Sequence, residues 1–389
     1  MAGLVVRPRA RIYHGHDWVY ATEIQGTFGE PQPGEVIQLK SHRDRPLGSA
    51  IYNPESQIVA RRFSRQKQEL DADFFERRLA RAVEWRQAAG VDSRLGRVAW
   101  SEADGLPGVV IDRYGDHAVL QTLTLAMDLR RELIAEAMIK VLGVRTVIER
   151  NDSAIRKAEG LELRTGALVG EVPDPFGVER GGRKFTIDLQ AGQKTGLYLD
   201  QLDNQDRVAA WAKGRKVLDV FAHQGGFSVA CALAGAASCE AVEISTPTVE
   251  AGRKHAAENG VDVLFHEQNA FDFLKAQDAA GARYDLIVLD PPSFTKNKKA
   301  FTEARRGYKE IHLRALKMLD PGGLLFTFVC SHHVGWGDLR GIVIDAAVDS
   351  RRTLREIEMM AQPKDHPVVP TIPETEYLKG FGYEAMPGW

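Results

Sequence analysis

Cysteine is scarce: the 389 residues hold three, Cys231, Cys239 and Cys330, an odd number without metal-ligand or redox spacing. A disulfide framework is excluded, and a reducing compartment with unpaired thiols is expected. Charge of one sign is also missing, since 51 Lys+Arg against 53 Asp+Glu leave a formal net charge of -2. A uniformly cationic nucleic-acid binder is thereby excluded, and any contact with a polyanion must come from a local basic face. No apolar run approaches transmembrane length, and the stretch up to Trp18 lacks the apolar segment of a signal peptide. A cytoplasmic protein without a membrane partner is expected. Internal repeats and low-complexity tracts are absent. What remains is an ordinary globular mixture, 44% hydrophobic and 27% charged, in a chain long enough for two or three cores.

The first sixty-odd residues alternate short β-like runs, Val36 to Leu39 and Gly48 to Tyr52, with turn signals at Pro31, Pro33-Gly34 and Asn53-Pro54. A small β-rich module is predicted. Its surface candidates are Arg7, Arg9, Arg11, Lys40, Arg43, Arg45, Arg61, Arg62 and Arg65, with Tyr13, His16, Trp18 and Tyr20 among them. Such a mixture suits RNA, because bases stack on rings while phosphates take the charge, and it equally suits a solvated barrel surface with a core tryptophan. A helix over 71–89, with Phe74, Phe75, Leu79, Ala82 and Trp85 on an apolar stripe, is expected as a connector. An α+β region follows to about Leu168. Past Gly192 strands alternate with helices, which predicts a parallel sheet covered on both faces.

The sharpest local signal runs from Lys216 to Ser228, a buried strand ending in a turn at Gly225-Gly226 that opens a helix from Val229 to Leu233. Glycine there lets backbone and ligand approach closely. About twenty residues on, the strand Cys239 to Val242 ends at Glu243, placed to accept from two ribose hydroxyls. The turn lacks the GxGxxG of dinucleotide enzymes, and Asp219 on the first strand fits S-adenosylmethionine, a cationic ligand without phosphates. Asn269, with Ala270 beside it, stands where adenine is usually gripped, its amide oxygen available to the adenine amino group. Phe221, Phe227, Ile244 and, further along, Asp290 are also expected at the cofactor.

A strand over Tyr284 to Leu289 delivers Asp290-Pro291-Pro292-Ser293-Phe294 to the sheet's carboxyl edge, where α/β sheets place ligands. The segment resembles the Asn/Asp-Pro-Pro-aromatic loop of base methyltransferases, with Ser293 in place of the ring common in amino-group methylases. A later strand brings Cys330 to the same edge. Carbon-5 of cytosine is a poor nucleophile until a thiolate adds at carbon-6, and Cys330 can supply that thiolate, with Asp290 binding or protonating N3. A cysteine at a strand end also has a simple packing role, which is the one expected for Cys231 and Cys239. His332 and His333 point to opposite sides of an extended segment, so no metal site is expected.

With Ser101 to Gly108, Gly192 to Gln201, Asp290 to Phe294, and Asp365-His366-Pro367 through Phe381, nearly the whole chain resembles the rRNA large-subunit methyltransferase I family. The resemblance implies cytosine-5 enzymes of α/β class: an N-terminal PUA-like barrel (1–68), a central α+β domain (69–183) and a Rossmann-like class I methyltransferase domain (184–389). It also implies S-adenosylmethionine as cofactor, large-subunit (23S-type) rRNA as partner, and Cys330 as nucleophile. A loop from Lys194 to Asp200 would pack over cofactor and target base, with Lys194 and Thr195 on the substrate and Tyr198 and Asp200 on the cofactor. Pro291, Pro292 and Ser293 would meet the base, and Arg7, Arg9 and Arg11 would grip RNA. Val329 departs from the usual Ser or Thr, and Asn269 from the usual Asp. Two other readings stay open: methylation of a base amino group without covalent catalysis, and a catalytically silent RNA-binding protein of the same fold. A homodimer is compatible with the sequence.

Overall fold

The computed structural model describes residues 2–92, 94–190, 196–295 and 301–387. Lys194 and Thr195 lie outside the described residues. The chain forms two compact units, one of Met1–Arg180, Thr186–Leu199 and Lys364–Thr375, the other of Gly181–Phe185, Asp200–Pro363 and Glu376–Trp389. Among the described residues no helix is long and apolar enough to cross a membrane.

Two sheets lie wholly within unit one. The first orders its strands Trp18–Val19, Ala60–Ser64, Pro46–Tyr52, Val36–Ser41, Gly3–Val6 and Ile24–Phe28, with only the Gly3–Val6 to Val36–Ser41 pairing parallel. Leu4, Val6, Ile37, Leu39 and Ala50 alternate inward to form its core. Arg7, Arg9 and Arg11 are exposed, with Arg11 over the Tyr20 ring at 4.3 Å. Arg61 and Arg62, expected on the surface, are not there. Arg62 is buried and donates to Asp17 at 2.7 Å, while Arg61 bonds Glu102 at 2.8 Å and lies over Trp18. Each is consumed by an acid that a buried guanidinium requires.

The second sheet orders Arg164–Val169, Thr146–Asn151, His117–Thr122, Val109–Tyr114 and Leu95–Trp100. The helix Ala72–Ala88 begins where the Asp71 carboxylate accepts from Phe74 N at 2.9 Å. Its Phe74, Phe75 and Leu79 are buried as the periodicity predicts. Trp85 is not: it is 45% exposed. The inward place in that turn belongs to Arg86, which grips Asp104 with two bonds of 2.9 and 2.8 Å. Segment Lys364–Thr375 joins this unit from far along the chain. Asp365 accepts from Arg97 N through Oδ2 and from Arg86 through its carbonyl, both at 2.8 Å, and Glu374 meets His16 at 3.0 Å.

Unit two is a seven-stranded sheet of β1 (Lys216–Val220), β2 (Ser238–Glu243), β3 (Leu264–Glu267), β4 (Tyr284–Leu289), β5 (Leu319–Cys330), β6 (Leu354–Ala361) and β7 (Leu378–Ala385), in the order β3-β2-β1-β4-β5-β7-β6. The first five strands run parallel, and β7 is antiparallel to both neighbours. The helices are α1 (Leu202–Ala209), α2 (Gly226–Leu233), α3 (Thr246–Glu258), α4 (Ala270–Ala279), α5 (Phe301–Met318) and α6 (Trp336–Ser350). The central strands are apolar on both faces. Leu218, Ile287 and Leu325 pack with α4, α5 and α6, whereas Val217, Leu286 and Phe326 pack with α1 and α2. Cys231 and Cys239 are buried in the latter layer, and burial pushes the Cys239 thiol up to about 12.

Where β7 crosses β5, a Cβ on Gly380 would lie 2.5 Å from the Phe328 ring and 3.1 Å from Thr327 O. Gly380→Ala is therefore expected to destabilise this unit by about 1–3 kcal/mol through overpacking. On α6, Gly337→Ala meets nothing within 4 Å and serves as the control. Urea denaturation midpoints separate the two, and equal midpoints would refute the steric account.

Candidate active site

After β1 the chain turns with positive φ at three residues, Phe221 (64°), His223 (49°) and Gly225 (70°). Two of these carry side chains, so the turn stores strain of the kind that persists only when its surroundings fix it. The fixing bonds are visible. Ala222 N donates to Val242 O at 3.0 Å, Gly225 N to Ala222 O at 2.8 Å, and His223 N to Glu243 Oε2 at 3.1 Å. Behind the turn, Asp219 Oδ2 accepts from the Ser228 amide at 3.0 Å and hydroxyl at 2.8 Å. Its Oδ1 is buried without a hydrogen-bond partner, and burial, with the Ser228 bonds opposing it, raises the carboxyl to about 6. Asp219 has no exposed surface.

Glu243, at the end of β2, is held by three amides: His223 N on one oxygen, and Ile244 N at 2.8 Å and Ser245 N at 3.1 Å on the other. The carboxylate is thus aimed before any ligand arrives. Ile244, next to it, is 63% exposed, an apolar surface left open beside a fixed acceptor. Asn269 caps α4, its side-chain oxygen accepting from Phe271 N at 2.9 Å and Asp272 N at 3.3 Å. Both lone pairs are engaged, which leaves the NH2 rather than the oxygen for a ligand. Ala270 is buried at the first helical turn. Phe227, expected at the cofactor, lies in the core instead, 4% exposed and 5.3 Å from the Phe328 ring, because its place on α2 faces the sheet.

Two strands over, Asp290 follows β4, its amide donating to Val220 O at 3.3 Å and so tying the Pro-Pro turn to the end of β1. Its Oδ2 accepts from Gln201 Nε2 at 3.0 Å, and Gln201 in turn accepts from Asn204 at 2.7 Å. Asp200 beside them accepts from the Tyr377 hydroxyl at 2.8 Å. Cys330 ends β5 and is exposed. Lys379, buried on β7, reaches Ser331 O at 3.4 Å, and burial lowers its pKa. Under the loop lies Tyr308, fully buried. Its oxygen accepts from Phe294 N at 3.2 Å, its ring packs 4.5 Å from that of Phe294, and burial raises the phenol to about 12, with Cys330 and Asp290 near enough to add to the shift. Phe221, Phe271 and Phe294 pack edge to face or tilted, with centroids 5.6–6.3 Å apart. One aromatic cluster thereby joins the strained turn, α4 and the Pro-Pro loop.

The structure gathers Phe221, Gly225, Glu243, Ile244, Asn269, Ala270, Asp290, Pro291, Pro292, Ser293 and Cys330 on elements that follow the carboxyl ends of β1 to β5. Tyr198, Arg7, Arg9 and Arg11 belong to unit one. Gln201, Asn204, Tyr308 and Lys379 were not singled out in the sequence as site residues. Among the described residues no group of three or more His, Cys, Asp or Glu is arranged to hold a metal ion.

Comparison with known proteins agrees with this geometry. A family model described as S-adenosylmethionine-dependent methyltransferase matches residues 141–378, and one described as PUA-like domain matches 7–65. Ribosomal RNA large subunit methyltransferase I of Erwinia tasmaniensis is 38% identical and that of Shewanella denitrificans 40%, each match covering 94% of both chains. A solved putative methyltransferase complexed with SAH superposes with a TM-score of 0.85 at 22% identity, covering 99% of this chain and 100% of its own. A putative SAM-dependent methyltransferase from Streptococcus mutans gives 0.83 at 22%, with the same coverage. With its strained turn, preset carboxylate and Pro-Pro loop on one sheet edge, the chain belongs to the ribosomal RNA large subunit methyltransferase I family of S-adenosylmethionine-dependent enzymes.

Proposed function

We propose that this protein methylates carbon-5 of a cytosine in large-subunit rRNA of the 23S type, in the cytoplasm, through a covalent adduct with Cys330. The observation that carries this reading is an exposed thiol at the end of β5 on the same sheet edge as the Asp290 carboxylate at the end of β4. The three modules expected from the sequence, 1–68, 69–183 and 184–389, divide the work into RNA binding by the first, support by the second and chemistry by the third.

The residues present fit S-adenosylmethionine. Glu243 is aimed to accept from ribose hydroxyls, Ile244 offers an apolar face to adenine, and the Asn269 amide can donate to a ring nitrogen. Asp219 and Glu243 form a pair of acids without an ion-pair partner among the described residues, an environment that favours a cation. When bound, the cofactor supplies an electrophilic methyl and departs as a neutral thioether. The Cys330 thiolate forms the sulfur–carbon-6 bond, the electron pair of the carbon-5–carbon-6 double bond shifts through carbon-4 to N3, and the Asp290 carboxyl gives N3 its proton. Carbon-5, now an enamine carbon, accepts the methyl; a base then takes its proton, the carbon-5–carbon-6 double bond re-forms as the thiolate leaves, and N3 returns its proton to the Asp290 carboxylate. Gln201 and Asn204 hold the Asp290 carboxylate in place for this step. Ser293, where amino-group methylases tend to carry a ring, weighs against the non-covalent alternative.

Three outcomes test this reading. Cys330→Ala should abolish transfer of labelled methyl to undermodified rRNA, with wild type yielding 5-methylcytosine by nucleoside mass spectrometry; retained activity, or a methyl on an amino group, refutes the covalent mechanism. Tyr308→Phe leaves Phe294 N–H without its acceptor, so kcat should fall roughly tenfold at unchanged S-adenosylmethionine affinity; an unchanged kcat removes Tyr308 from the site. Finally, a cationic ligand favours ionised Asp219, whose carboxyl sits at about 6. Affinity for S-adenosylmethionine should therefore weaken as pH falls below 6, by up to about tenfold per unit, and level off above it. Methylthioadenosine, which lacks the cation, and Asp219→Asn should both give flat profiles by calorimetry. A flat wild-type profile would mean the Asp219 charge is not felt.

A further inference from the structure

The helix Ala72–Ala88 of unit one has a solvent face that packing does not explain. Arg78, Arg81 and Trp85 recur at spacings of three and four and so align on one side. Trp85 is 45% exposed, and its ring lies over the Arg86 guanidinium at 5.6 Å. The open indole offers a flat apolar ring on which a planar group can stack.

Among the described residues no ion pair engages the two arginines of this face. Of the helix's carboxylates, Asp73 is paired with Arg77 at 2.7 Å and Glu76 with Lys140 at 2.6 Å. Glu84 is exposed and makes no ion pair among the described residues. Glu102 and Asp104, the acids of the neighbouring turn, are committed to Arg61 and Arg86. Arg78 donates to Phe63 O at 3.1 Å and lies over the Phe74 ring, so no acid neutralises it. Burial chiefly, and then the nearby Arg77 and Arg81, lower its pKa. Arg81 is exposed and has no ion-pair partner among the described residues. Arg65 and Lys67, on the loop just before the helix, are exposed as well.

We infer that the Arg78–Arg81–Trp85 face of this helix binds RNA, taking phosphates on the two guanidinium groups and a base on the indole. The surface is distinct from Arg7, Arg9 and Arg11 of the first sheet, and it lies on a helix that periodicity assigns to a connector. The combination of an open ring with unpaired arginines matches the needs of a flexible or single-stranded stretch, whose bases are free to stack. An acidic protein would use the charges but leave the ring without a partner of its kind. The inference rests on the reading that large-subunit rRNA is the substrate, and it adds a contact away from the target base.

The test is fluorescence anisotropy of the full chain with a labelled large-subunit rRNA transcript across a salt series, for wild type, Arg81→Glu and Trp85→Ala. Both substitutions are at exposed positions, and matching thermal melts confirm that the fold is intact. Arg81→Glu should weaken binding about tenfold at low salt and reduce the slope of log affinity against log salt by about 1. Trp85→Ala should weaken binding about tenfold with the slope unchanged, because stacking releases no counterions. Isotherms that coincide with wild type for both variants overturn the assignment, including the case in which the face serves an acidic protein. Methyl transfer to the same transcript keeps the two readings apart. Wild type that binds it, with the variants weakened, but transfers nothing refutes the proposed function alone; wild type that methylates it while both variants bind equally refutes only the RNA face.

Discussion

Parallel pairing of β1 with β4 and of β4 with β5 is the constraint on which the rest depends. Register places Asp219 beside Val288 and Val288 beside Phe326. Because the strands run the same way, their exits fall along one edge, and the residues just past each exit are brought near one another. Phe221, Asp290 and Cys330, far apart in the chain, share one sheet edge for that reason. Each strand is apolar on both faces, so a slip of register would carry Leu218 and Ile287 away from the helices they pack against.

That edge is stiffened by a small number of polar bonds. Two residues with side chains in left-handed conformations would relax if nothing opposed them, and the amide of one of them, His223, is tied to Glu243. The same bond is one of three that fix the carboxylate, so the strained turn and the preset acceptor share a contact. On the other half of the edge, buried Tyr308 and the Phe221–Phe271–Phe294 cluster hold the Pro-Pro turn. His312, one turn below on α5, bonds the Tyr308 carbonyl at 2.6 Å and Thr327 on β5 at 2.8 Å, and burial keeps it neutral with a pKa of about 4. The helix beneath the loop is thereby pinned to the strand that ends in Cys330.

Much of this was legible in the sequence, and the reasons are local. Apolar runs bounded by glycine and proline marked β1, β4 and the Pro-Pro turn, and an acid at the end of β2 was readable from its spacing. What escaped depends on partners distant in sequence. Gln201 looks like any polar residue until Asp290 is beside it, and Tyr308 looks like an ordinary helix aromatic until the Phe294 amide meets it. Arg61 and Arg62 read as surface charges because an isolated guanidinium cannot be buried; Glu102 and Asp17 make burial possible, as Asp104 does for Arg86. Trp85 and Phe227 fell on the wrong sides for a related reason. Helical periodicity gives the inward stripe to within a residue, and the occupant of the last inward place is decided by the ion pair or ring that competes for it.

Segment Lys364–Thr375 gives the molecule a temporal order. The Arg86 guanidinium and the Arg97 amide each find part of their hydrogen bonding on Asp365, 279 and 268 residues later in the chain. At about 5–20 residues per second, synthesis of that intervening stretch takes on the order of tens of seconds. For that interval the emerging N-terminal sheets exist without the strand of chain that satisfies them, and two interior donors face water or the ribosome surface. The unit made first is therefore among the last to be finished.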